Sequence, residues 1–211
     1  MKMQEKINNI LFLLDKYYPQ EDKCYLNYKH DYELMISTIL SAQCTDDRVN
    51  LVTKDLYKKY PTLKSFAEAN LVEMEQDIKP TGFFRNKAKN IILASRKLLK
   101  EYDSKMPSDI EELVKFPGVG RKTANVVRSH IFNLPSIVVD THVMRISYKL
   151  GLTKFQDPVK IEFDLMDKLP KEHWIRYNTQ LIAHGRSICK APTPKCESCF
   201  LTDYCEYFSS R

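Results

Sequence analysis

Glycine is scarce in this sequence, five residues in 211, and long apolar runs are missing altogether. No run approaches the roughly twenty residues that a membrane-spanning helix needs. The first eighteen residues carry Glu5 and Asp15 inside their apolar pattern, with no small-residue cleavage site after them, which argues against a secretory leader. No stretch alternates apolar and polar residues persuasively enough for a sheet, and no linker rich in Gly or Ser breaks the chain. Cysteine is also sparse until the end. Cys24 and Cys44 stand alone and read as buried thiols, whereas the other four of the six fall in the last 23 residues. Without an export signal these are thiols of a reducing cytoplasm and not a disulfide framework.

What is present is helical periodicity. Apolar residues recur at helical spacing in Ile7, Ile10, Leu11 and Leu14, in Leu34, Ile36, Ile39 and Leu40, and in Val49, Val52 and Leu56. Asn70 with Glu73, and Ser108 with Glu111, read as capping boxes; Asp157 before Pro158 reads as an N-cap followed by proline at the first helical position. Pro19, Pro61, Pro80, Pro107, Pro117, Pro135, Pro158 and Pro170 punctuate about ten short helices. With 43% apolar residues the chain can fill one large core or two small ones, and a formal charge of +6 suits a polyanionic partner.

The densest chemical signal runs from Glu111 to His142. Two of the five glycines, Gly118 and Gly120, flank Val119 directly after Pro117, between one apolar helical run and the next. This reads as a helix, a tight hairpin and a helix, over about 107–132. Such a turn leaves backbone N–H groups without helical partners at the start of the second helix, an edge suited to an anion. Arg121 and Lys122 follow at once, so a phosphate in the hairpin would have two cationic side chains beside it. A lysine in the first turn of a helix is a candidate nucleophile. Asp140 ends the apolar run Ile137-Val138-Val139 and precedes another helical pattern, which makes it an N-cap on structural grounds and a catalytic carboxylate on functional ones.

Of three further stretches, two carry weaker signals and the third, the C-terminal cysteines, a sharper one. Gln43 lies between two helical patterns, on a loop where an amide suits base edges. Pro80 to Lys87 resembles a second hairpin with Phe83 and Phe84 at its turn, either core residues or a wedge between bases. Cys189, Cys196, Cys199 and Cys205 give C-x6-C-x2-C-x5-C, compact enough to converge on one centre, and four thiolates suit either zinc or a 4Fe-4S cluster. Lys190 and Lys195 lie between the first two of these cysteines, on a loop open to phosphates.

Taken together, the hairpin, Lys122, Asp140 and the four-cysteine loop resemble the endonuclease III family of helix-hairpin-helix DNA glycosylases, over nearly the whole chain. The resemblance implies an all-α fold of two domains: a helical barrel at 24–134, and a cluster domain formed by 1–23 and 135–211, with DNA and the active site between them. It makes the cysteine-bound group a 4Fe-4S cluster. It also assigns Lys122 as nucleophile and Asp140 as catalytic carboxylate. Gly118, Val119 and Gly120 become the phosphate grip with Arg121, Gln43 the residue that fills the gap left by a flipped base, and Phe83 the wedge, at a position commonly leucine in the family.

The implied activity is removal of oxidised pyrimidines from double-stranded DNA and cleavage of the resulting abasic site, by a cytoplasmic monomer with no membrane partner. An adenine-excising branch lacks the lysine and adds a C-terminal domain, and a thymine-mismatch branch has tyrosine there. Lys122, and a chain ending six residues after Cys205, favour the lyase-competent branch. A non-catalytic DNA-binding protein would need neither Lys122 nor Asp140, and an electron carrier would not need the hairpin.

Overall fold

The computed structural model describes residues 2–19 and 24–210. Among them are twelve α-helices, four 3-10 turns and no strand. The helices are α1 (Met3–Tyr17), α2 (Asp31–Leu40), α3 (Asp46–Lys59), α4 (Leu63–Ala67), α5 (Leu71–Asp77), α6 (Phe84–Glu101), α7 (Ile110–Leu113), α8 (Arg121–Phe132), α9 (Thr141–Lys149), α10 (Pro158–Lys168), α11 (Trp174–Ser187) and α12 (Glu206–Ser209). The chain divides into two compact units: Cys24–Leu134, and Met1–Lys23 together with Pro135–Arg211.

Helix α2 organises the first unit. Leu34, Met35, Ile36, Ile39 and Leu40 are all buried, so apolar side chains cover most of its circumference, as expected of a helix enclosed by others. Its polar residues are satisfied internally. Tyr57 donates to the Glu33 carbonyl (2.8 Å), which leaves Ser37 Oγ to donate to the Tyr57 hydroxyl (2.6 Å). Phe66 of α4 is fully buried among Tyr32, Tyr57 and Tyr60, with ring centroids 6.2, 6.2 and 5.2 Å away. Edge-on and tilted aromatic pairs of this kind add to the plain area burial.

In the second unit α1 contributes Ile7, Ile10, Leu11 and Leu14 to a core shared with Ile137, Val139, Val143, Ile146, Leu165, Tyr177 and Leu181. A segment distant in sequence is thereby joined to the C-terminal half of the chain. The joint has a polar component: Asp15 accepts from Arg176 Nε at 3.0 Å and from Gln180 Nε2 at 2.9 Å.

Helix starts follow local chemistry. Asn70 Oδ1 accepts from the amides of Val72 and Glu73, and Asp157 Oδ1 from that of Lys160. The expected cap at Ser108 is displaced by one residue. Asp109 takes the role, its Oδ1 accepting from Glu111 N (2.7 Å) and Glu112 N (3.2 Å), because a carboxylate one residue later reaches the same free amides. The helix that follows is also shorter than the apolar pattern suggests. After Leu113 the bonds tighten to Lys115 N→Glu112 O and Phe116 N→Leu113 O, and Pro117 disfavours helical backbone at Phe116.

These contacts rank two substitutions. Phe66→Ala should cost about 3–5 kcal/mol, through lost burial and the cavity left among the tyrosines. Asn70→Ala should cost about 1 kcal/mol, the value of one cap. Urea unfolding followed by circular dichroism measures both, and comparable losses would mean that the Phe66 pocket collapses on itself.

Candidate functional site

The hairpin between α7 and α8 is built from backbone, and its two glycines serve different ends. Gly118 has φ +80°, and a Cβ there would lie 3.0 Å from the Asn90 side chain on α6, so both conformation and space require glycine. Gly120 is the N-cap of α8 with extended backbone, and nothing lies within 4 Å of the position a Cβ would take. It leaves the start of α8 open, where the first amides have no helical partner and the dipole is positive. Val119 has neither a free amide nor an exposed side chain. Its N–H donates to Phe116 O (3.0 Å) and its side chain is buried in the core, so it anchors the turn and cannot itself donate to a ligand. Arg121 is half-buried at the first position of α8, and Lys122 is exposed at the second.

Gln43 and Phe83 share an uncommon backbone state. Gln43, on the loop from α2 to α3, has φ +54° and is exposed. Phe83, the N-cap residue of α6, has φ +49° and is 64% exposed. The two phenylalanines suggested for a wedge therefore divide the work. Phe84 packs partly against the core with the Arg85 guanidinium 5.4 Å from its ring, whereas Phe83 projects outward. Sequence reading missed Lys87. It is only 4% exposed, and its Nζ donates to the carbonyls of Leu40 and Thr81, both at 2.8 Å. Lysine in a basic helix start reads as a solvated face, and nothing in the pattern marks this one as buried.

In the other unit, Asp140 caps α9, its Oδ1 accepting from Val143 N at 2.8 Å. The run before it is buried, and Asn178 Nδ2 holds the Val138 carbonyl at 2.9 Å, which fixes the approach to the cap.

The four cysteines line one pocket together with Ile146, Leu150, His184 and Leu201. All four are free thiols and half-buried. Burial pushes the Cys189 and Cys199 thiols up, while Lys149 and Arg145 pull Cys189 back. Cys199 Sγ lies 3.6 Å from His184 Nε2, and Tyr18 Oη is 3.2 Å from the other ring nitrogen. Burial, with Arg145 nearby, lowers the His184 pKa to about 4. Arg145 Nη2 donates to the Cys189 carbonyl at 2.7 Å.

Among the described residues no three His, Cys, Asp or Glu side chains gather closely enough to hold a single metal ion. Four thiols around a shared pocket supply donors of the kind that a cysteine-bound metal group takes. Lys190 and Lys195 are exposed on the intervening loop, whose ends are closed by the amides of both lysines on Ile188 O, at 2.9 and 3.0 Å.

Residues 36–171 match the HhH-GPD superfamily of base excision DNA repair proteins. The chain is 47% identical to Endonuclease III of Synechocystis over 96% of its length and 92% of that protein's. It is 46% identical to Endonuclease III of Bacillus subtilis over 94% and 92%. A structure described as a trapped Endonuclease III–DNA covalent intermediate superposes with a TM-score of 0.93, at 43% identity, covering 100% of this chain and 99% of that one. A thermostable thymine-DNA glycosylase shares the fold with a TM-score of 0.85 at 19% identity, covering 98% of each chain. A hairpin with an open helix start, an exposed lysine beside it and four cysteines around one pocket thus sit in an all-α chain that belongs to the endonuclease III family of base excision DNA repair proteins.

Proposed function

We propose that this protein is a bifunctional DNA glycosylase and abasic-site lyase that acts on oxidised pyrimidines in double-stranded DNA through a Schiff base on Lys122. The observation that carries this reading is the end-to-end likeness to an Endonuclease III trapped covalently on DNA, together with an exposed lysine at the second position of the helix that leaves the hairpin.

The chemistry follows from the groups present. The open amides at the start of α8 and Arg121 hold a backbone phosphate. A damaged base leaves the stack, at lower cost where the lesion already weakens stacking. Gln43 fills the gap, and Phe83 enters the duplex as a wedge. The deprotonated Lys122 amine forms a bond to C1′ as the glycosidic bond breaks and its electron pair goes to the base. Asp140 stabilises the positive charge that develops on the sugar. Loss of a proton from nitrogen and opening of the sugar give an iminium. That group acidifies the 2′ hydrogen, and on its removal the 2′–3′ double bond forms while the 3′ phosphate leaves. Water then releases Lys122 from the aldehyde.

Cys189, Cys196, Cys199 and Cys205 would hold a 4Fe-4S cluster, which would tie the C-terminal turns together as a structural cross-link. Lys190 and Lys195, exposed beside it, add phosphate contacts. The division into a barrel at 24–134 and a cluster domain of 1–23 with 135–211 follows the two compact units.

Purified protein should therefore be yellow-brown and contain about four irons per chain. Metal analysis reads this directly, and stoichiometric zinc from cells supplied with iron would overturn it. Cys199→Ser should lose colour and melting temperature together, since a bound metal group contributes folding free energy.

Lys122→Gln should abolish strand cleavage and borohydride trapping while lesion-DNA binding survives, because an exposed side chain is replaced by one without a nucleophilic amine. Trapping that persists would move the nucleophile elsewhere. Asp140→Asn is a clean probe, since an asparagine oxygen caps α9 as well as a carboxylate does. It should lower base excision by about 10²–10³-fold, the effect of one well-placed stabilising group. Strand cleavage at a preformed abasic site, where no glycosidic bond breaks, should fall less. Single-turnover rates on the two substrates test the difference, and equal losses would assign Asp140 to activation of Lys122.

A further inference from the structure

Lys87 is a buried cation whose two hydrogen-bond partners are carbonyl oxygens. Taking an ammonium out of water is costly, and a folded chain keeps one there only where its donors are well used. Both acceptors lie at element ends. Leu40 O belongs to the last residue of α2, and Thr81 O to the last residue of the 3-10 turn Lys79–Thr81. Terminal carbonyls of this kind have no helical partner and carry the negative end of the dipole, so a single ammonium serves two of them.

The residues just beyond these carbonyls give the arrangement its meaning. Three positions after Leu40 comes Gln43, and two after Thr81 comes Phe83, both exposed and both held at positive φ. The backbone N–H of Lys87 also donates to Phe83 O at 3.2 Å. Lys87 thus grips the Phe83 turn through main chain and side chain, and the Gln43 loop through its side chain.

We infer that Lys87 is a positioning residue that couples the gap-filling Gln43 loop to the Phe83 wedge, so that the two enter DNA as one rigid pair. This rests on the assignment of those two residues given above. A displacement of either carbonyl, at the base of the Gln43 loop or of the Phe83 turn, strains a bond to the same ammonium. A residue acting in this way touches no reacting atom, and its removal is felt where loop position matters: in the preference for lesion over intact duplex, and not in salt-sensitive binding to DNA at large.

The test measures affinity for a lesion duplex relative to the intact duplex, in the unaltered protein, in Lys87→Met and in Lys87→Gln, each with and without Phe83→Ala. Misplacement of the two loops should lower the ratio in Lys87→Met by on the order of tenfold, with the salt dependence unchanged. Lys87→Gln, which keeps an N–H donor, should recover part of the loss. Phe83→Ala should cost less in the Met background than in the unaltered protein, because the wedge is already loose there. A folded Lys87→Met with full preference, or a Phe83→Ala cost equal in every background, overturns the coupling. Should the Met variant not fold, Lys87→Gln is read alone. A lowered ratio with a reduced Phe83→Ala cost then supports the coupling, and an unchanged ratio overturns it. Should Phe83→Ala cost nothing in the unaltered protein, the wedge assignment itself fails, and the coupling with it.

Discussion

Positive φ at loop residues that would touch DNA is the constraint on which the Cys24–Leu134 unit depends. Gln43, Phe83 and Gly118 all occupy it, and two of the three carry side chains that disfavour it, at a cost of roughly 1–2 kcal/mol per residue. A loop does not hold such a conformation by itself. The neighbouring structure must support it, and side chains of α6 reach the backbone beside all three. Lys87 holds the carbonyls that precede Gln43 and Phe83, and Asn90, less than a turn further along, lies against Gly118. The Phe83 turn, the Gln43 loop and the Gly118 hairpin therefore share one helix as their neighbour. That helix is in turn held by its buried face, through Ala88, Ile91, Ile92, Ala94 and Leu98.

A hairpin that grips phosphate must leave amides unused while remaining rigid. Here the requirements fall on different residues. Val119 spends its amide on Phe116 O and its side chain on the core, which fixes the turn; Gly120 contributes no side chain and keeps the start of α8 open. Which way the valine between the two glycines faces carries no sign in the sequence, and the structure turns its amide to Phe116 O and its side chain to the core.

Much of the architecture was legible because it is local. Helical spacing located α1, α2 and α3, and Asn70, Asp140 and Asp157 cap helices where their residue types say they should. The misses have a common cause. Ser108 and Asp109 are both good caps, and which one is used depends on where the chain turns to bury Leu113. Phe83 and Phe84 are identical letters, one exposed and one packed, and what distinguishes them is that Phe83 is itself the left-handed residue at the start of α6. Lys87 was illegible because burial of a lysine is decided by carbonyls that lie six and forty-seven residues away.

The second unit shows how a cysteine loop can matter to a carboxylate it does not touch. Helix α9 has Asp140 as its N-cap and ends at Lys149, nine residues on. Its last turns are fastened to the cysteine loop at two points: Arg145 Nη2 donates to the Cys189 carbonyl, and Cys205 Sγ lies 3.5 Å from the Lys149 carbonyl. Lys149 also sits 3.8 Å over the Tyr207 ring, a cation–π contact that draws in the chain after Cys205. The other end is fastened by Asn178 on Val138 O. The helix that begins at Asp140 is thus held at one end by Asn178 and at the other by the cysteine loop, whose first cysteine is forty-nine residues beyond Asp140.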